Sequence, residues 1–131
     1  MQAASENYTY DYVVYGGTAG GAVSAYAVGM QGLDVALLEP RDHIGGMTSG
    51  GLGGTDIGNP NVIGGMARDF YERNGDLYGK KLEWELEPKV AEKLLRDWLK
   101  QAKVDVYFNH RLERLEKEGT TIKALIMENG N

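Results

Sequence analysis

Tyr10-Asp11-Tyr12-Val13-Val14-Tyr15-Gly16-Gly17-Thr18-Ala19-Gly20-Gly21-Ala22-Val23-Ser24-Ala25-Tyr26-Ala27-Val28 is the stretch that decides the fold. Its first six residues are rich in β-branched and aromatic side chains and stop abruptly at Gly16-Gly17, which reads as a short buried strand. Gly20 to Val28 is built of small residues, so a helix here can approach a sheet closely before it ends near Gly29 to Gly32. Asp34-Val35-Ala36-Leu37-Leu38 follows as a second apolar run of strand length, closed by Glu39-Pro40. The result is a β-α-β unit, which implies parallel strands joined by a right-handed crossover.

Composition agrees with a globular chain. The sequence has 131 residues with 42% hydrophobic and 25% charged side chains, and its 19 glycines follow no three-residue period, so it is neither disordered nor collagen-like. That length fits one domain, able to bury roughly two thirds of the surface its unfolded chain exposes. The absence of cysteine excludes thiol catalysis, iron–sulfur clusters and Cys-ligated zinc, and no metal site is expected. Fifteen of the 19 glycines lie between Gly16 and Gly65. Residues 1–66 carry one basic side chain, Arg41, against six acidic ones, whereas residues 67–131 carry 13 of each sign, so the net charge of −5 comes from the glycine-rich half. This is a poor footprint for nucleic acid, and an anion bound in that half must be held by backbone N–H groups and a helix dipole. No run of 18 apolar residues exists, so no membrane span is expected. Ala3-Ala4-Ser5 fits either an ordinary start or the scar of a removed signal peptide. The compartment therefore stays open: cytoplasmic by default, periplasmic or secreted if a signal peptide was removed.

Residues 1–9 are expected to be a flexible start and residues 10–131 the domain proper. From Arg41 to Gly65 no apolar period is long enough for an ordinary element, which marks either a functional loop or a misassigned element. Met66 to Leu77 reads as a helix, and Leu82 to Glu87, alternating apolar and acidic residues, as a half-exposed strand. Pro88 opens an amphipathic helix to about Ala102, with Val90, Leu94, Leu95, Trp98 and Ala102 on one face. Val104 to Phe108 is a third strand, and Arg111–Lys117 and Thr121–Glu128 form a hairpin around Glu118-Gly119-Thr120.

The most specific constellation is strand, then Gly16-Gly17-Thr18-Ala19-Gly20-Gly21, then helix, then strand, then Glu39. Glycines there allow a tight turn and a close approach to a pyrophosphate, and the helix N-terminus supplies unpaired N–H donors with about half a positive charge. A carboxylate at the second strand's end accepts hydrogen bonds from a ribose diol and repels a 2′-phosphate, which argues against NADP. Thr18 occupies the middle glycine position of the GxGxxG pattern. Its Cβ narrows the space, while its hydroxyl is able to donate to a phosphate oxygen. Glycines that serve only a tight turn and a close helix–sheet contact are the plainer alternative.

Arg41 to Gly58 separates the candidate cofactors, because a nicotinamide-binding domain normally runs from its second strand into another helix, and here a glycine-dense loop follows instead. With Leu37-Leu38-Glu39-Pro40, His43-Ile44-Gly45-Gly46-Met47, Ser49-Gly50-Gly51-Leu52-Gly53 and Thr55-Asp56-Ile57-Gly58 in that order, the chain resembles the FAD-dependent oxidoreductases with two dinucleotide-binding domains, the group that includes fumarate reductase and succinate dehydrogenase flavoproteins. In the bacterial subfamily it resembles most, Thr in the middle of the first loop is usual. The resemblance implies an α/β, Rossmann-like FAD/NAD(P)-binding domain with a parallel sheet and a β-hairpin or meander crossover. It implies FAD as cofactor, with Gly16, Gly17, Thr18, Ala19, Gly20 and Gly21 on the pyrophosphate. It also implies Glu39 on the adenosine ribose and Pro40 and Arg41 beside the adenine. Gly45, Gly46 and Met47 would run along the pyrophosphate and ribityl chain, Ser49, Gly50 and Gly51 toward the isoalloxazine ring, and Leu112 would offer backbone groups to adenine.

His43 reads as a loop histidine, with covalent flavin attachment as the alternative that the resemblance raises. His110 reads as structural, Asp56 and Arg68 as solvated charges with reach into a substrate pocket as the alternative, and Trp84 and Trp98 as core, with Trp84 facing the flavin or substrate as the alternative. The resemblance also implies segments absent here: an ATG-like strand, a substrate domain and a C-terminal glycine-aspartate segment. The domain is thus expected to be incomplete, this chain inactive alone, and its partners to be FAD, an unidentified small substrate and the C-terminal remainder. No catalytic residue is assigned. Two rivals remain: a stand-alone NAD-binding module and a non-enzymatic remnant or interaction domain.

Overall fold

A computed structural model describes residues 7–130. The flexible start expected for residues 1–9 therefore lies largely outside the described residues. The β-α-β unit is present: β1 (Tyr12–Tyr15), α1 (Ala19–Gly29) and β2 (Val35–Glu39). β1 pairs parallel with β2 in the register Tyr12 to Val35 through Tyr15 to Leu38. After α2 (Gly65–Asp76) and α3 (Pro88–Gln101), β3 (Asp105–Phe108) pairs parallel with the other edge of β2. All five β2 residues are buried, as a central parallel strand requires, which is why this stretch reads as an unbroken apolar run and not as an alternation.

The helices cover one face of this sheet. α1 presents Ala22, Ala25, Tyr26 and Gly29 inward, and α3 presents Ala91, Leu95, Trp98 and Leu99. Trp98 is the hub: Tyr26 stacks on it at 4.8 Å, Phe70 of α2 meets it edge-on at 6.1 Å, and the Arg73 guanidinium lies 4.9 Å from its ring centroid. The buried stripe of α3 is rotated by one residue from the reading above. Ala91 and Leu99 are fully buried, while Val90 and Leu94 are half-buried. The small residues of α1 have their use at the α3 terminus. A Cβ on Gly29 would lie 2.7 Å from the Ala102 carbonyl oxygen.

The second element outside the sheet is the hairpin of β4 (Leu112–Glu118) and β5 (Thr121–Met127), antiparallel and turning at Gly119, whose φ is +59°. Its apolar residues Leu115, Ile122 and Leu125 face a cavity of about 720 Å³ whose opposite wall includes Val13, Tyr15, Ala36 and Leu38 of the sheet.

One expectation is corrected. Leu82 to Glu87 has no regular secondary structure and belongs to no sheet. Its backbone is satisfied by other means: the Glu83 amide donates to the Tyr71 carbonyl, the Leu86 amide to Gly53, and the Asn74 side-chain amide, fully buried, donates to the carbonyls of Glu83 and Glu85. Burial alternates only from Glu85 to Glu87, where Leu86 is buried between two exposed acids, and such alternation reports burial and not a neighbouring strand. The long loop contains two short 3₁₀ turns, Gly46–Ser49 and Pro60–Val62.

The close α1–α3 approach makes Gly29→Ala destabilising by about 1–3 kcal/mol, as expected for overpacking against backbone. Denaturant unfolding at constant m-value measures it.

Candidate functional site

The site lies at the C-terminal ends of the parallel strands, where α/β sheets bind ligands. The chain leaves β1 at Gly16, whose amide extends the ladder to the Leu38 carbonyl at 2.8 Å and whose φ of +110° suits glycine alone. The next amide, Gly17, donates to the Glu39 Oε2 carboxylate oxygen at 2.6 Å. The Arg41 amide donates to Oε1 at 2.8 Å. Glu39 is thus aimed back across the first loop and held at both oxygens, while a carboxylate's four acceptor sites leave room for hydroxyl donors.

Thr18 caps α1. Its backbone is extended and its Oγ accepts from the Gly21 amide at 3.1 Å, so the Cβ that departs from the glycine pattern carries the helix cap. Gly21 has no room for a side chain, because a Cβ there would meet the Gly16 carbonyl and lie 3.2 Å from Val14 Cγ1. Among the described residues, the first two helical amides, Ala19 and Gly20, have no protein acceptor, and Gly20 is exposed. No basic side chain lies in this loop, so whatever anion it takes is met by amide donors and the helix dipole.

The second loop is built onto the first. The Gly45 amide donates to the Gly17 carbonyl at 2.7 Å, and Thr18 and Gly45 form a parallel bridge. Ile44, fully buried, lies directly beneath the first loop, where a Cβ on Gly17 would come within 2.6 Å of its Cδ1. Gly45 and Gly46, with φ of +109° and +54°, then turn the chain into the 3₁₀ segment.

Of the residues singled out from sequence, Gly16 to Gly21, Glu39, Gly45 and Gly46 are gathered into this one unit. Pro40 and Arg41 continue the strand edge: the amides of His110 and Asn109 donate to the carbonyls of Glu39 and Arg41. Met47 is 79% exposed, and Gly50 and Gly51 are exposed beside it. Ser49 behaves differently from its neighbours. Its side chain is buried, donating to the Ile44 carbonyl at 2.5 Å and lying 2.9 Å from His43 Nε2. Leu112 stands at the start of β4, with its amide bound to the Tyr15 hydroxyl at 3.1 Å. Among the other residues, Arg68 pairs with Glu72 on its own helix, Trp84 packs on Tyr71 at 4.7 Å, and the Trp84 carbonyl accepts from Thr55.

Sequence reading passed over Ile44, Glu92 and Arg96. Both nitrogens of His43 are engaged, Nδ1 with Glu92 Oε2 at 3.0 Å. Burial of Glu92 pushes its pKa up, but hydrogen bonds from Arg96 and the Ile44 amide, with the charges of Arg96 and His43, outweigh that and hold it below the ordinary glutamate value. The only sequence signal was the i,i+4 spacing of Glu92 and Arg96, which many solvated helix faces share.

A strand–glycine loop–helix–strand–acid unit with a second glycine loop laid against it defines a dinucleotide-binding α/β domain of the Rossmann-like kind. Residues 11–131 match the sequence profile of the FAD dependent oxidoreductase family, and the chain belongs to that family, whose cofactor is FAD. Among solved structures, L-amino acid deaminase from Proteus vulgaris is similar at 16% identity with a TM-score of 0.63, over 98% of this chain and 52% of the deaminase. Thioredoxin reductase from T. acidophilum is similar at 14% identity with a TM-score of 0.62, over 92% of this chain and 31% of the reductase. A steroid monooxygenase solved bound to NADP is similar at 19% identity with a TM-score of 0.63, over 93% of this chain and 24% of that protein. At these identities the likeness is one of fold, and this chain spans about half or less of each. No curated protein sequence matches it. No helix among the described residues is long and apolar enough to cross a membrane.

Two adjacent glycines should respond oppositely to alanine. Gly20→Ala meets only Thr18 Oγ at 3.9 Å and should raise the stability of the cofactor-free protein by about 0.5–1 kcal/mol, whereas Gly21→Ala should lower it by about 1–3 kcal/mol. Chemical denaturation of both variants checks the contrast.

Proposed function

We propose that this chain is the N-terminal FAD-binding part of a flavin-dependent oxidoreductase that moves a hydride to or from a small substrate. The observation that carries the reading is the locked unit at the strand ends, in which the two glycine loops and Glu39 are bonded to one another beside amides that have no protein acceptor. These donors fit a pyrophosphate, and the acid fits a ribose diol.

In this reading the Ala19 and Gly20 amides donate to the pyrophosphate, with the Thr18 hydroxyl free to donate because its oxygen already accepts from Gly21. Glu39 accepts from the adenosine ribose while its other lone pairs keep the Gly17 and Arg41 amides. Pro40 and Arg41 border the adenine, and Leu112 lies at the far side of that edge. Its amide is held by Tyr15, so its carbonyl is the group left to offer. Gly45, Gly46 and Met47 follow the pyrophosphate and ribityl chain, and Gly50 and Gly51 lead toward the ring. The Ser49 side chain braces the loop from within, so Ser49 approaches the ring through its backbone. When bound, the flavin supplies the hydride donor and acceptor. This chain binds and orients it. The groups that act on substrate are supplied by the C-terminal remainder, and the 131 residues alone are inactive and hold FAD weakly.

The protein expressed from its complete natural reading frame should purify yellow, and Glu39→Ala should weaken FAD binding by about tenfold or more, the cost of a lost charge-assisted hydrogen bond. A colourless protein that fails to take up added FAD sinks the reading. A thermal-shift response to NAD without one to FAD would identify a nicotinamide module, and no response to either a non-enzymatic domain.

A further inference from the structure

The second glycine loop has no sheet or long helix of its own to hold it, yet two of its backbone groups, the Ile44 amide and the Asp42 carbonyl, are bonded by side chains of α3. Glu92 Oε1 accepts from the Ile44 amide at 3.2 Å and from Arg96 Nε at 2.8 Å and Nη2 at 2.5 Å. Its other oxygen, Oε2, lies 3.0 Å from His43 Nδ1. Arg96 Nη2 also donates to the Asp42 carbonyl at 3.1 Å, and the guanidinium sits 4.5 Å from the Phe108 ring centroid, which fixes it from the β3 side. The circuit closes through His43 Nε2, Ser49 Oγ and the Ile44 carbonyl.

Donor accounting orders the circuit. The one Ser49 hydroxyl proton goes to Ile44, so Ser49 accepts from His43 Nε2–H, and Nδ1 faces a carboxylate. His43 is therefore a strut between α3 and the end of the 3₁₀ turn, with neither nitrogen left for a covalent bond. The next residue, Gly45, carries the bond to Gly17. Where α3 places Ile44, the two loops meet.

We propose that Glu92 is a positioning residue for the flavin: acting through Ile44 and His43, it fixes the second glycine loop against the first and so sets FAD affinity without touching FAD. The inference rests on the flavin reading above. Its test uses the protein from the complete natural reading frame, with Glu92→Ala, Glu92→Gln and, as a control one residue along α3, Lys93→Gln. Hydrogen–deuterium exchange on the FAD-free protein reports the loop, with β2 amides reporting global unfolding. Free-flavin fluorescence gives the dissociation constant, and visible circular dichroism the flavin's surroundings.

Glu92→Ala should speed exchange at Ile44 and Gly45 about tenfold with β2 still protected, weaken FAD about tenfold, and change the flavin dichroism. Glu92→Gln, which keeps an acceptor for the Ile44 amide, should do each to a smaller degree, and Lys93→Gln should match wild type. Unchanged exchange and affinity in both Glu92 variants overturn the proposal. So does faster exchange with unchanged affinity and dichroism, which would make the contact structural only. Wild-type protein that takes up no FAD overturns the flavin reading itself, and does so before any variant is made.

Discussion

The hydrogen bond from the Gly17 amide to the Glu39 carboxylate, 2.6 Å long and buried, joins the two features on which everything else at the strand ends is arranged. It requires β1 and β2 to be parallel and in the register Tyr15 to Leu38, since only then does the last residue of β2 reach back over the turn after β1. It requires glycine at 17, where a Cβ would lie 3.0 Å from the same Glu39 oxygen. It also leaves the Gly17 carbonyl pointing the other way, where Gly45 takes it up. One residue, Gly17, thus connects the first loop to the acid through its amide and to the second loop through its carbonyl.

The second loop depends on a different source of order. Glycine-rich backbone loses much entropy on being fixed, and the segment from Arg41 to Gly65 buries few side chains of its own. What holds it is borrowed from the helical layer. Ile44 is drawn into the core beside Leu95, and α3 contributes Glu92 and Arg96 as ionic anchors on the same side. The amphipathic helix is therefore more than a cover for the sheet. Its apolar stripe packs on Tyr26 and Phe70, and its polar shoulder fixes the loop.

The parallel unit, α3 and the hairpin were legible in the residues because each rests on a local pattern: an unbroken apolar run, a helical period after Pro88, and alternation around Gly119. The segment at Leu82 to Glu87 was not, because its partners are the buried Asn74 side chain and isolated carbonyls of Tyr71 and Gly53 in place of a strand, and nothing local announces that. At the site, the first loop and Glu39 were legible from spacing. The inward bond of the Ser49 side chain to the Ile44 carbonyl was not legible, because a serine among glycines carries no local sign of which way its hydroxyl turns. Glu92 was invisible for the opposite reason. It sits 48 residues from the amide it binds, in an i,i+4 pair that any solvated helix displays.

Gly20 separates the two explanations for a glycine-rich first loop. Gly17 and Gly21 are demanded by the protein itself, since a side chain at either would strike Ile44 or the Gly16 carbonyl. Gly20 is not, for its surroundings are open and it stands in the first turn of a helix, where alanine would be more stable. A purely structural loop has no use for it. A loop whose Ala19 and Gly20 amides are approached closely by a bound anion does, because a residue without Cβ lets the backbone come nearest to a ligand. The residue that the fold least needs is therefore the one that argues most directly for a ligand.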